Sequence, residues 1–197
     1  MVVSTRERIL DAAMGLFALH GYKGTSITAI ETAVGLTPGA GGIYRHFPSK
    51  QALLEAGVQR HLTRLGSLRD LRGIFGDLGD LRVELTMLAR YALAELDREA
   101  DLLRIVLTES RSHPDLLESA VEQLVDATWT GFANWIAERS GIDADEALPI
   151  ASVGLGALFS TRLLRLVLGR DALAVTDDAF VSKWVEMMLG QIGGSVV

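Results

Sequence analysis

Apolar residues recur along the chain at spacings of three and four, and nowhere alternate with polar ones over a strand's length. That pattern predicts an all-α protein. The first apolar stripe is Ile9, Ala13, Leu16 and Phe17. Ser4 and Glu7 precede it in the Ser-x-x-Glu spacing of a capping box, and Gly21 offers a left-handed stop. Thr25 can cap a second helix that carries Ile27, Ile30 and Val34 on one face and halts at Gly35. Thr37 caps a third helix with Pro38 in its first position, where the missing N–H costs nothing. Ala40, Ile43 and Phe47 form its inward stripe, and Pro48 ends it. Ser49 then caps a fourth helix running from Lys50 to about Leu68.

Three short helices joined by tight turns make a unit of about 50 residues, too small to be very stable alone. The stretch from Arg69 to Asp80 contains three glycines and mixed charges. A boundary there divides the chain into domains of residues 1–68 and 69–197. Beyond it the periodicity predicts long helices near 81–96, 101–112, 114–140, 146–168 and 177–192. The most apolar run, Leu148 to Thr161, falls short of the roughly 20 residues a bilayer core requires, and Arg162 ends it. It reads as a buried helix, with no membrane partner expected.

Composition narrows the chemistry. Of 197 residues, 49% are hydrophobic and 22% charged, an ordinary globular balance. Cysteine is absent, which excludes disulfides, thiolate catalysis and Cys-based metal sites. Arg6, Glu7 and Arg8 stand where a signal peptide would be apolar, pointing to the cytoplasm. A net charge of −6 argues against nucleic acid until it is resolved by position. Residues 1–61 hold six Lys/Arg against four Asp/Glu, whereas the other 136 hold 13 against 21. A mildly basic head on an acidic body fits an anion-facing N-terminus.

The second and third helices face each other across Val34-Gly35-Leu36-Thr37. Helix, tight glycine turn and helix make the helix-turn-helix arrangement, whose second helix a major groove can admit. Any αα-corner would share these caps. A longer series of residues is more specific: Arg6-Glu7-Arg8-Ile9-Leu10-Asp11-Ala12-Ala13, Leu16-Phe17, His20-Gly21-Tyr22, Thr25-Ser26-Ile27 and Ile43-Tyr44-Arg45-His46-Phe47-Pro48-Ser49-Lys50. Over about residues 5–62 the chain resembles the N-terminal domain of the TetR family of transcriptional regulators. The resemblance implies a three-helix helix-turn-helix domain followed by a helical ligand-binding and dimerisation domain. Its expected partners are double-stranded operator DNA, a small-molecule effector and a second copy of the chain, with no cofactor. By the same resemblance, Thr25 and Ser26 contact phosphate, Thr37, Pro38, Gly39, Ala40, Gly41 and Gly42 open the recognition helix, and Tyr44 and His46 touch the DNA backbone. Lys50 meets a phosphate, and a cation opposing the dipole of the helix it begins is consistent with a bound anion.

In one place the chain departs from that pattern. Family members place four residues between the capping Ser or Thr and the Tyr, whereas six intervene here, Pro38 to Ile43. Two extra residues turn the start of the helix by about 200° relative to Tyr44. The glycines admit two readings. Each costs about 1 kcal/mol in a helix, which favours a loop or distorted first turn; alternatively they allow close approach to DNA, with Arg45 reading a guanine edge. Tyr44 fills the small core, touches phosphate, or does both. His46 is either a backbone contact or an exposed bystander.

No catalytic constellation emerges, and an enzyme is not expected. Glu109 and His113 are four apart, but there is no HExxH and no second pair. Leu88, Tyr91, Leu103, Leu107, Arg111, Trp129 and Phe132 suit a small-molecule pocket; the same aromatic spacing also suits plain core. Ser152, Leu155, Gly156, Phe159 and Leu163, with Trp184 and Met188, form a small-residue and apolar surface expected at a homodimer interface. The reading is a ligand-responsive repressor released from a palindromic operator. A two-decade shift of such an equilibrium needs about 2.7 kcal/mol of differential affinity. The alternative is a helical small-molecule binding protein with a vestigial DNA-binding head.

Overall fold

The computed structural model describes residues 4–66, 79–112, 114–169 and 174–193. Among these residues the chain forms eight α-helices and no strand: α1 (Thr5–Gly24), α2 (Ile27–Ala33), α3 (Lys50–Gly66), α4 (Leu81–Arg98), α5 (Ala100–Glu109), α6 (Pro114–Ser140), α7 (Ala144–Leu168) and α8 (Asp177–Gly193). Local chemistry sets most of the ends. The Ser4 hydroxyl accepts from the Glu7 N–H at 3.2 Å, although the Glu7 carboxylate pairs with Arg60 at 3.0 Å instead of completing the capping box. Gly21 breaks α1 with a φ of +73°. Ser49 accepts from the Ala52 N–H, Asp143 from the Glu146 N–H, and Gly169 closes α7 in the left-handed conformation.

The chain divides into two compact units, one taking the residues up to Arg64 together with Glu99–Glu122 and the other taking the remainder. The boundary placed at 69–80, and Leu68 before it, fall mainly on residues 67–78, outside the described residues. The partition into 1–68 and 69–197 differs from this division, because Glu99–Glu122 groups with the N-terminal helices. Here α5 packs against α1. Leu102, Leu103 and Ile105 are buried on α5, as are Ile9, Leu10, Ala13, Met14 and Phe17 on α1. Gly57 of α3 packs closely against Met14 of α1, and an added Cβ would overlap the Met14 sulfur unless that side chain shifted.

In the second unit, α4 packs against α7 and α8. Leu85, Ala89, Leu93, Ile136, Ala147, Ala151, Leu158, Val181 and Val185 belong to its core. Phe132 stacks on Trp135 and Trp184 with ring centroids 5.6 and 6.4 Å apart. Trp184 and Met188, expected at a homodimer interface, are instead 3% and 4% exposed within this core. The Trp184 indole N–H donates to the Gly154 carbonyl at 2.8 Å, and a Cβ on Gly154 would press on the Met188 sulfur at 2.9 Å. Their inward direction follows from α8's buried stripe, Val181, Trp184, Val185, Met188 and Ile192.

By length and composition α7 could cross a bilayer. Within the second unit it is anchored by a buried charge, Arg162, whose guanidinium binds Asp97 at 3.0 Å and Asp177 at 2.7 Å. These bonds hold the Asp177 carboxyl below the usual carboxylate range and the Arg162 guanidinium above its usual value. Ala147, Ala151, Gly154 and Leu158 of α7 face inward. Opposite them lie Val153, Gly156, Ser160, Leu164 and Val167, half-buried or exposed. Ser152, Leu155, Phe159 and Leu163 are half-buried between the two faces.

Candidate nucleic-acid interface

The N-terminal unit presents a short segment between α2 and α3. Gly35, with a φ of +74°, turns the chain out of α2, and its N–H donates to the Thr32 carbonyl at 3.1 Å. The predicted helix from Pro38 to Phe47 does not form. Thr37 to Gly41 is an irregular loop, followed by a single 3-10 turn over Gly42–Arg45. Gly39 and Gly41 adopt φ values of +77° and +70°, which interrupt a right-handed helix. The two additional residues are therefore accommodated as loop. Ala40, predicted to face inward, is exposed as a consequence.

Ile43 and Phe47, both buried, clamp the ends of the exposed trio Tyr44, Arg45 and His46. Tyr44 is 54% exposed, so its ring does not fill the core. The Arg6 guanidinium lies 4.9 Å over the Phe47 ring, and Arg8 donates to the Val34 carbonyl at 2.5 Å, tying α1 to the end of α2. Thr37, Pro38 and Gly39 are exposed, while Gly41 and Gly42 are half-buried. Leu36 lies against Gly42, where a Cβ would come within 3.3 Å of its Cδ1.

Two of the expected phosphate contacts are committed to the protein itself. Thr25 is 2% exposed, and its hydroxyl donates to the carbonyls of Leu16 and Gly21. The α2 cap falls one residue later: exposed Ser26 accepts from the Ala29 N–H at 3.1 Å. Lys50 donates to the Tyr22 carbonyl at 2.6 Å and the Thr25 carbonyl at 2.8 Å, and lies 4.3 Å over the Tyr22 ring. Burial lowers the Lys50 pKa, partly offset by the negative charge of Glu109. Carbonyl oxygens and an aromatic face offset the charge of this cation at the start of a helix. Glu109, meanwhile, accepts from the Tyr22 N–H at 2.8 Å. Lys50→Met should accordingly lower folding stability by about 1–3 kcal/mol, read by urea denaturation. The salt dependence of DNA affinity should stay unchanged, whereas losing a phosphate contact would reduce the slope by about 1.

The residues expected to line a pocket are divided between the units: Leu103, Leu107 and Arg111 in the first, Leu88, Tyr91, Trp129 and Phe132 in the second. Leu107 and Arg111 are exposed, Leu103 and Phe132 are buried, and Leu88, Tyr91 and Trp129 are half-buried. Burial and a hydrogen bond to Glu95 push the Tyr91 phenol up to about 12. His113 lies outside the described residues. Among the described residues no group of three or more acidic or His side chains is placed to hold a metal.

Sequence reasoning missed Glu31, which is buried and accepts from the Gly39 N–H at 2.7 Å. The signal was available: position 31 follows Ile27 by four and precedes Val34 by three, so a carboxylate stands on the apolar face of α2.

Residues 9–56 match the model of the bacterial regulatory proteins of the tetR family. Over 176 residues, covering 88% of this chain and 89% of its relative, the sequence is 26% identical to the HTH-type transcriptional regulator YvkB of Bacillus subtilis strain 168. A TetR-family regulator from Mesorhizobium loti shares the fold with a TM-score of 0.75, at 19% identity and covering 95% and 96% of the two chains. AibR, solved with isovaleryl coenzyme A and operator DNA, shares it with a TM-score of 0.64, at 19% identity and covering 93% and 97%. Together with the exposed trio held between buried anchors, these matches lead to one conclusion: residues 9–56 form an N-terminal domain of the tetR family of bacterial regulatory proteins, and the chain is a DNA-binding transcriptional regulator.

Proposed function

We propose that the protein is a cytoplasmic homodimeric repressor that binds a palindromic operator and leaves it when a small molecule binds the C-terminal unit. The observation that carries this reading is the exposed Tyr44-Arg45-His46 trio projecting between buried Ile43 and Phe47. Such anchoring fixes the side chains in one register, as base reading requires. On this reading Arg45 reaches a base edge in the major groove. Ser26, Thr37, Tyr44 and His46 contact the DNA backbone, and the main chain of Pro38 to Gly42 approaches it closely. AibR, solved with both isovaleryl coenzyme A and operator DNA, supports the presence of an effector site beside an operator-binding surface here. Leu88, Tyr91, Trp129 and Phe132 are the residues of the second unit that would face such an effector.

Fluorescence anisotropy on duplexes selected by the full-length protein from a randomised library tests the reading. A steep fall of affinity with salt is expected, because phosphate neutralisation releases counterions. Arg45→Ala should cost about 1–3 kcal/mol and relax the preference at one base position per half-site. An equal loss on every duplex would make Arg45 a phosphate contact. A protein with no salt-dependent binding to any duplex would instead fit a small-molecule binder with a vestigial head.

A further inference from the structure

The loop that replaces the expected recognition helix lacks the internal bonding of a helix. Among the described backbone bonds within Thr37–Gly41, Ala40 donates to Thr37 at 3.2 Å. Three of the four residues 39–42 are glycine, so the free segment has many conformations of similar energy. Yet one α2 residue holds it at two places. The Glu31 carbonyl accepts from the Leu36 N–H at 2.9 Å, and the Glu31 carboxylate accepts from the Gly39 N–H at 2.7 Å. Leu36 in turn lies against Gly42. The chain is thus pinned at residues 36, 39 and 42, immediately before the exposed trio.

Packing does not account for Glu31. It is 0% exposed on the apolar face of α2, and its other carboxylate oxygen has no hydrogen-bond partner. An aliphatic side chain would fill that position without burying an under-bonded polar group. What the carboxylate supplies is a fixed loop.

Building on the DNA-reading role of the same segment, we propose that Glu31 is a positioning residue for base discrimination: it pre-organises the glycine loop so that Arg45 meets the base edges in one register. Loss of the clamp leaves the side chains that touch DNA in place and frees the backbone that aims them. Ordering must then occur on the DNA, which weakens the selective complex far more than loose backbone association.

The test uses the full-length protein, the duplex that wild type selects from a randomised library, and a random duplex at the same salt concentration. Glu31→Leu should reduce affinity for the selected duplex about tenfold or more while leaving the random duplex within about twofold. Glu31→Gln, which keeps an acceptor for the Gly39 N–H, should stay within about threefold of wild type on both. Hydrogen exchange of the peptide spanning Gly39 should accelerate in Glu31→Leu and not in Glu31→Gln. Glu31→Met, which keeps the length of the side chain but has no carboxylate, provides a second disturbance of the clamp should Glu31→Leu fail to fold, and the same selective loss is expected of it. An unchanged affinity ratio in the folded variant, or equal losses on both duplexes, would overturn the clamp. If wild type itself does not distinguish selected from random DNA, the DNA-reading proposal fails first and the clamp with it.

Discussion

If the protein is the proposed homodimer, Gly156→Glu combined with Val167→Glu is expected to make it a monomer and to reduce operator affinity by about 10²-fold, because the second half-site is then no longer bound as part of one molecule. Both positions lie on the face of α7 opposite its buried stripe. Val167 is 66% exposed, and a Cβ at Gly156 meets nothing within 4 Å. The single protomer therefore accommodates both glutamates. Glutamate is also a better helix former than glycine by several tenths of a kcal/mol, so the protomer should unfold at about the same denaturant concentration. A close helix–helix seam, in contrast, would trap two unpaired charges per chain. Light scattering reads the mass and anisotropy the affinity. A double variant that remains a dimer would place the interface elsewhere.

Trp184→Ala is expected to cost about 3–5 kcal/mol of folding stability, comparable to a substantial part of the total for a domain this size. The indole is 3% exposed, stacks on Phe132 and donates to the Gly154 carbonyl. Its removal leaves a void in the second unit and takes away one hydrogen bond to α7. Trp184→Phe should recover much of the packing but not the hydrogen bond, leaving a deficit of about 1–3 kcal/mol. Urea denaturation measures both. If Trp184→Ala left protomer stability intact and dissociated the dimer, the indole would belong to the subunit interface.

These two variants separate two surfaces that look alike in one dimension. Trp184 and Gly156 stand in similarly apolar stretches. Periodicity says that one face of a helix is covered, but not by which neighbour. In α7 the apolar residues run nearly all round, so the pattern left core and interface undivided. The buried stripe from Ala147 to Arg162 marks the core face.

The helix ends were largely legible because capping is decided within one turn. Ser4, Ser49 and Gly21 act where their side chains or left-handed backbone predict, and α6 spans Pro114–Ser140 as the periodicity implied. The motif that carries DNA recognition was legible too, since its residues lie close together in the chain.

The conformation of the segment before Tyr44 was not, because glycine occupies either sign of φ at little cost and local sequence cannot choose between them. Nor could the partners of Lys50 and Glu109 be read locally: Lys50 reaches the Tyr22 carbonyl 28 residues away, and Glu109 reaches the Tyr22 N–H across 87. Sequence by itself determined that the chain is helical, where most helices begin and end, and which family's motif it carries, since these depend on neighbours within a few residues. Tertiary structure alone decided which cations are consumed internally, which aromatic residues are core and how the recognition loop is held, because each depends on groups brought together only by folding.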